Sequence, residues 1–183
     1  MDGIVRVWDT NAFSVAAEFK IADIAYSFKA NSSGSMIAVG TNEYEVAMID
    51  PSTGGFLQRL TGHKGAVTSV DWSSSCEYVL ASGSLDGAVK LWDTRRGGAR
   101  SLLASFDWRQ EQDVRLDESR WQKDWSRDDA VRAHEGAVMC ARFTACGRYL
   151  LTSGNDKRLR IWSVETANCG RLLDKNIKTN CFR

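Results

Sequence analysis

The sequence predicts an all-β fold assembled from repeated four-stranded units. A turn Asp six positions before a Trp recurs along the chain, at Asp2 and Trp8, Asp86 and Trp92, and Asp156 and Trp162. Short alternating runs rich in β-branched and aromatic residues surround each copy, and Gly, Ser, Asn and Asp clusters separate the runs. That combination marks antiparallel strands joined by tight turns.

At the N-terminus, the runs Ile4 to Asp9 and Phe13 to Phe19 read as two strands of a first unit. A weaker copy covers Ile24 to Asp50, where Ala25 to Lys29, Met36 to Gly40 and Glu45 to Asp50 sit at strand spacing without a loop His or a Trp. The next copy is complete: Gly62-His63 leads into a strand ending at Trp72, and Val79 to Asp93 supplies a strand, the turn Asp86 and a strand closed by Trp92-Asp93. Ala133-His134, the strand to Phe143 and the stretch from Leu150 to Ser163 repeat that order. Helix has little support before residue 105. Segments are expected at 1–20 (the outer two strands of one blade), 21–61 (a degenerate blade), 62–106 (a full blade), 107–132 (a charged insertion), 133–175 (a full blade) and 176–183 (a tail).

Units of roughly forty residues with four strands each match radial blades that bury their faces against one another. From His63, Ser82, Asp86 and Trp92, and again from His134, Thr152, Asp156 and Trp162, the chain resembles the WD-repeat family. The resemblance covers nearly all of it except about Asp107 to Arg132, and it implies an incomplete β-propeller of about 3.5 blades of a seven-bladed ring. It also implies that each set is a hydrogen-bonded chain, in which a His held between a carboxylate and a hydroxyl keeps one tautomer and the indole N–H needs only one acceptor. A His-Ser-Asp combination also suggests a hydrolase triad. However, these hydroxyls lie inside regular strands and recur once per repeat, whereas a nucleophilic Ser sits at an exposed elbow beside an oxyanion pocket. The chain is therefore not expected to be an enzyme.

The 24 basic and 23 acidic side chains nearly cancel, so no global field draws in nucleic acid or an anionic membrane. No run of about eighteen apolar residues is present, which argues against a spanning helix. The five cysteines lack a C-x-x-C pair and read as reduced, structural thiols. His63 and His134 stand far apart, and the Gly54-Gly55 and Gly97-Gly98 pairs lack a phosphate-loop context, so neither a metal nor a cofactor is expected. Lys157, Arg158 and Arg160 form a small basic stretch, which a turn and an outward strand face explain as well as DNA contact does.

Trp92-Asp93-Thr94-Arg95, followed by Arg96, resembles the W-D-x-R box by which WD-repeat substrate receptors dock on the damaged-DNA-binding adaptor of cullin-RING ubiquitin ligases. An Asp and an Arg two apart at a strand end can both face outward, and Arg offers planar charge-assisted donors. A plain strand end followed by solvated arginines is the other reading; Trp8 to Asn11 and Trp162 to Glu165 lack the Arg. The order of segments and the degenerate second blade further resemble the middle blades of the Cockayne syndrome group A family, from which Ser163 and the tail after Asn168 depart. That resemblance implies a nuclear substrate receptor in transcription-coupled nucleotide excision repair, with ubiquitylation substrates and transcription-repair factors as partners. A generic WD-repeat scaffold in signalling or RNA processing, with cytoplasm as the alternative location, is the second expectation.

The insertion at 107–132 carries Trp108, Trp121 and Trp125 amid mixed charge and reads as a projecting, variable loop with a short helix around Glu118 to Trp125. Because a propeller ring of this kind does not close within such a length, the isolated chain is expected to be aggregated or molten.

Overall fold

The computed structural model describes residues 4–21, 24–106, 132–164 and 172–177. A two-stranded sheet, β1 (Ile4–Asp9) and β2 (Ser14–Lys20), is followed by three four-stranded antiparallel sheets. The second sheet contains β3 (Ala25–Ala30), β4 (Ile37–Thr41), β5 (Glu45–Ile49) and β6 (Phe56–Thr61). The third contains β7 (Val67–Trp72), β8 (Val79–Ser84), β9 (Val89–Asp93) and β10 (Leu102–Ser105). The fourth contains β11 (Val138–Phe143), β12 (Tyr149–Gly154), β13 (Leu159–Ser163) and β14 (Leu172–Ile177). Strands pair in sequence order within every sheet, which gives blades of an incomplete β-propeller. A 3-10 turn, Gly98–Ser101, leads into β10 where no helical structure was expected. The insertion at residues 107–131, including the helix expected around Glu118 to Trp125, lies outside the described residues, as do Asp2, Cys169, Cys181 and residues 178–183.

Strand alternation explains how the blades stack. In β4, Ala38 faces the third blade while Val39 faces the first; in β5, Val46 and Met48 face the third while Ala47 and Ile49 face the first. In β8 and β9, Leu80 and Trp92 face back to the second blade, and Ala81, Val89 and Leu91 face forward to the fourth. The core is therefore three apolar clusters, each sandwiched between consecutive sheets, and the central strands of the second and third blades are buried on both faces, whereas β12 and β13 are fully buried only on the face turned to the third blade. Near-continuous apolar runs in β4 and β5 follow from that double burial.

The inner strands lie side by side, with β7 between β3 and β11. Each begins with a bulge at the same place, between Ala25 and Ser27, Val67 and Ser69, and Val138 and Cys140. The inner strands are tied by polar contacts: Ala141 N donates to Ser69 Oγ at 3.0 Å, Phe143 N to Asp71 Oδ2 at 2.9 Å, and Trp72 Nε1 to the Lys29 carbonyl at 2.8 Å. Two glycines permit the close approach. A Cβ at Gly40 would stand 2.6 Å from the Val67 carbonyl oxygen, and one at Gly83 would stand 2.7 Å from Val138 Cγ1.

The second blade keeps the fold without the polar set. Aligned on Gly40 and Gly83, Val39 takes the place of Ser82 and Ile49 that of Trp92, while Ile21 stands where His63 stands ahead of its inner strand. All three are buried in one cluster. Removing a complete set of hydrogen-bonding partners together leaves nothing unpaired, which is why an apolar substitute is tolerated.

Candidate partner-docking site

In the third blade, Trp92 Nε1 donates to Ser82 Oγ at 2.8 Å, and Ser82 Oγ lies 2.7 Å from His63 Nε2. With the indole occupying one lone pair, the hydroxyl hydrogen goes to Nε2, and His63 Nδ1–H is given to Asp86 Oδ2 at 3.1 Å. The fourth blade repeats this: Trp162 Nε1 to Thr152 Oγ1 at 2.7 Å, Thr152 Oγ1 to His134 Nε2 at 2.8 Å, and His134 Nδ1 to Asp156 Oδ1 at 2.9 Å. Burial pushes both imidazoles below their usual value against the pull of the carboxylates, which keeps them neutral. Burial works to raise the Asp86 carboxyl, but hydrogen bonds from His63, the Lys64 amide and the Ala88 amide bring it down to about 2. Asp156 is likewise opposed by burial and brought down to about 2 by Arg160 and His134. Ser82 and Thr152 are buried with their oxygens engaged on both sides, so neither hydroxyl faces a substrate.

Arg160 corrects an expectation. It does not lie on an outward basic face: it is buried, with Nη1 2.6 Å from Asp156 Oδ2. Being two residues from Trp162 in β13, it shares with that Trp the face turned to the third blade, just as Lys90 shares with Trp92 the face turned to the second. The thiols also differ in part from expectation. Cys76 and Cys140 are half-buried and Cys146 is exposed in a turn, where it has no packing role.

The corner that joins β9 to the 3-10 turn collects the exposed charge of the Trp-Asp-x-Arg segment. Asp93 closes β9 with its side chain only 3% exposed, so it does not face outward as the sequence suggested. Its carboxylate accepts the Arg95 amide at 3.1 Å, Arg95 Nε at 2.9 Å and Arg95 Nη2 at 2.9 Å, a forked pair, while Arg96 Nε lies 3.4 Å away. The Arg95 fork holds the Asp93 carboxyl below the usual carboxylate range, against the opposing effect of burial, and Arg95 itself is pushed up. Both guanidinium side chains are 59% exposed. Asp93 thus acts as an inward anchor that holds Arg95 extended, and the arginines make the outer surface. The Arg95 guanidinium carbon also sits 5.2 Å over the Tyr78 ring, and Gln58 Nε2 from β6 donates to the Thr94 carbonyl at 2.8 Å. Neither Tyr78 nor Gln58 was singled out from sequence, because both reach the corner from other strands or turns. The equivalent Asp9 and Asp50 cap their turns through backbone amides, without an Arg.

Residues 54–93 and 127–163 match the family model of the WD domain, G-beta repeat. Similar proteins include the WD repeat-containing protein ATCSA-1 of Arabidopsis thaliana, 29% identical over 219 residues that cover 90% of this chain and 49% of that protein. Another is the ribosome biogenesis protein WDR12 homolog of Nematostella vectensis, 27% identical across 88% of this chain and 33% of the relative. A chain in the crystal structure of a mitotic checkpoint complex superposes with a TM-score of 0.67 at 23% identity, over 91% of this chain and 42% of that one, a likeness of fold. The chain spans about half or less of the length of each.

Proposed function

Because the chain carries WD repeats folded as blades of an incomplete β-propeller, we propose that this binding scaffold serves as a substrate receptor, docking through the Asp93 to Arg96 corner on the damaged-DNA-binding adaptor of cullin-RING ubiquitin ligases. The observation that supports it is the forked Arg95 held by a buried Asp93, with most of the Arg95 side chain exposed. Arg is a residue type that carries interface energy, and a guanidinium held in place loses less freedom on binding. Among the strand-end turns of the first three blades and the fourth, the position two after the strand-end residue is Asn11, Ser52, Arg95 and Glu165, so one blade alone supplies the cation. The resemblance to the Cockayne syndrome group A family adds the setting: a nuclear ligase acting in transcription-coupled nucleotide excision repair, with ubiquitylation substrates and transcription-repair factors as further partners.

Capture of the purified adaptor by the full-length protein tests this. Arg95→Ala is expected to lower recovery about tenfold or more, and Asp93→Ala to lower it by releasing Arg95. Equal recovery with and without the substitutions removes the docking assignment. A second reading, a WD-repeat scaffold in RNA processing, is favoured by the relatives named for ribosome biogenesis in Nematostella vectensis and Trichoplax adhaerens. Recovery of ribosome-assembly factors in place of the adaptor would select it.

A further inference from the structure

We propose that the docking face is shared between two blades, with Tyr78 as the positioning residue for Arg95 and Gln58 as the brace from the neighbouring blade, and that it takes a carbonyl-presenting protein loop. This rests on the docking reading of the Arg95 corner. Three separate parts of the chain meet there. The turn between β7 and β8 brings Tyr78, whose carbonyl accepts both the Thr94 amide at 2.9 Å and Thr94 Oγ1 at 3.1 Å. The Tyr78 ring then lies under the Arg95 guanidinium at 5.2 Å. From the second blade, Gln58 in β6 donates to the Thr94 carbonyl at 2.8 Å. Thr94 is therefore gripped on its amide, its hydroxyl and its carbonyl, and the two residues that follow it are presented from a fixed backbone.

The guanidinium of Arg95 has five N–H donors, and its contacts with Asp93 use two. The others lie in the plane of the fork, held by the ring on one face. Charge decides what they receive. Arg95 and Arg96 share the single Asp93 carboxylate, and Glu77 stands next to Tyr78 in the same turn. Two cations against two anions leave the corner close to neutral, so a polyanion gains little there, whereas backbone carbonyls at a chain reversal or a helix C-terminus match planar, directional donors. This favours a protein loop over a nucleic-acid backbone.

The test uses the full-length protein and purified adaptor, with affinity measured at low and high salt. Tyr78→Ala is expected to weaken binding about two- to fivefold, the range of an exposed cation–π contact, and Tyr78→Phe to retain it because the ring remains. Tyr78→Ala combined with Arg95→Ala should be no weaker than Arg95→Ala alone, a non-additivity that a general loss of folding does not produce. Gln58→Ala should weaken binding in the same direction. If Tyr78→Ala binds as the unchanged protein does while Arg95→Ala fails, the shared face falls and the docking assignment stands; if Arg95→Ala binds normally, both fall. A steep loss of affinity with salt, as phosphate contacts give, would overturn the neutral-loop partner.

Discussion

A hydroxyl that receives from an indole and gives to an imidazole is hard to replace, because its loss leaves two buried groups unpaired at once. Ser82→Ala is therefore expected to destabilise the protein by about 1–3 kcal/mol, read from the midpoint of urea unfolding. The reciprocal change in the second blade, Val39→Ser, introduces a buried hydroxyl where Ile21 and Ile49 offer no partner, and a loss of about 1–3 kcal/mol is expected there too. A midpoint unmoved by either would mean that the sets contribute nothing beyond packing. The same residues set a pH dependence. Burial holds the folded-state imidazoles of His63 and His134 below their unfolded value of 6.5, so the unfolded chain binds more protons once the pH falls under that value. Stability is then expected to be full above about pH 6.5 and to decline as the pH falls, at up to about 1.4 kcal/mol per pH unit per group. A second loss begins below the unfolded aspartate value of 3.8 and continues as Asp86 and Asp156 protonate near 2. Replacing both histidines with Gln should flatten the upper limb in urea titrations at pH 5 to 7, and an unchanged slope would refute the assignment.

Between elements, contact distance is set by what is missing. Gly83→Ala places a methyl 2.7 Å from Val138 Cγ1, a buried side-chain atom that must turn or shift to make room, and a loss of about 1–3 kcal/mol is expected. Gly40→Ala meets the Val67 backbone carbonyl at 2.6 Å, which cannot rotate away, so its thermal midpoint should fall further than that of Gly83→Ala. Gly97→Ala is the control: nothing lies within 4 Å of its added methyl and its φ of −91° suits any residue, so its midpoint should not move. At this scale much of the fold was legible. The strands of the third and fourth blades follow from alternation and from the Asp-to-Trp spacing, since both depend on neighbours along the chain. What escaped depends on neighbours across it. The exchange of His63, Ser82 and Trp92 for Ile21, Val39 and Ile49 is visible only once β4 and β8 are set in register, and the inward turn of Asp93 requires the Arg95 fork that fills the outer side. Arg160 was misplaced because a charged side chain was assumed to face water, when its alternation with Trp162 already put it on the buried face. The grip on Thr94 by Gln58 and Tyr78 joins two blades, and no local pattern announces it.

For the whole molecule, the clusters between blades account for the middle of the array and leave the flank at the first and second blades open. Each strand-closing Trp turns its ring toward the preceding blade: Trp92 and Trp162 are buried there, at 0% and 2% exposed. Trp8 occupies the same place in β1, which among the described residues pairs with β2 alone, and it is 59% exposed. Phe28 stands where the inner strand of the third blade has the buried Val70, and it is 60% exposed, with Tyr26 also exposed in the same strand. Aromatic side chains carry a large apolar area, and an unpaired strand edge next to them offers a template for another chain. The 183-residue chain expressed alone is therefore expected to associate, with light scattering after size exclusion showing species larger than a monomer. Trp8→Ser combined with Phe28→Ser should shift that distribution toward monomer, because it removes apolar area without touching any buried cluster. A monomeric unchanged chain with a sharp cooperative thermal transition would count against this. Association that persists at equal strength in the doubly substituted chain would move the cause from the aromatic flank to the open strand edge of β1.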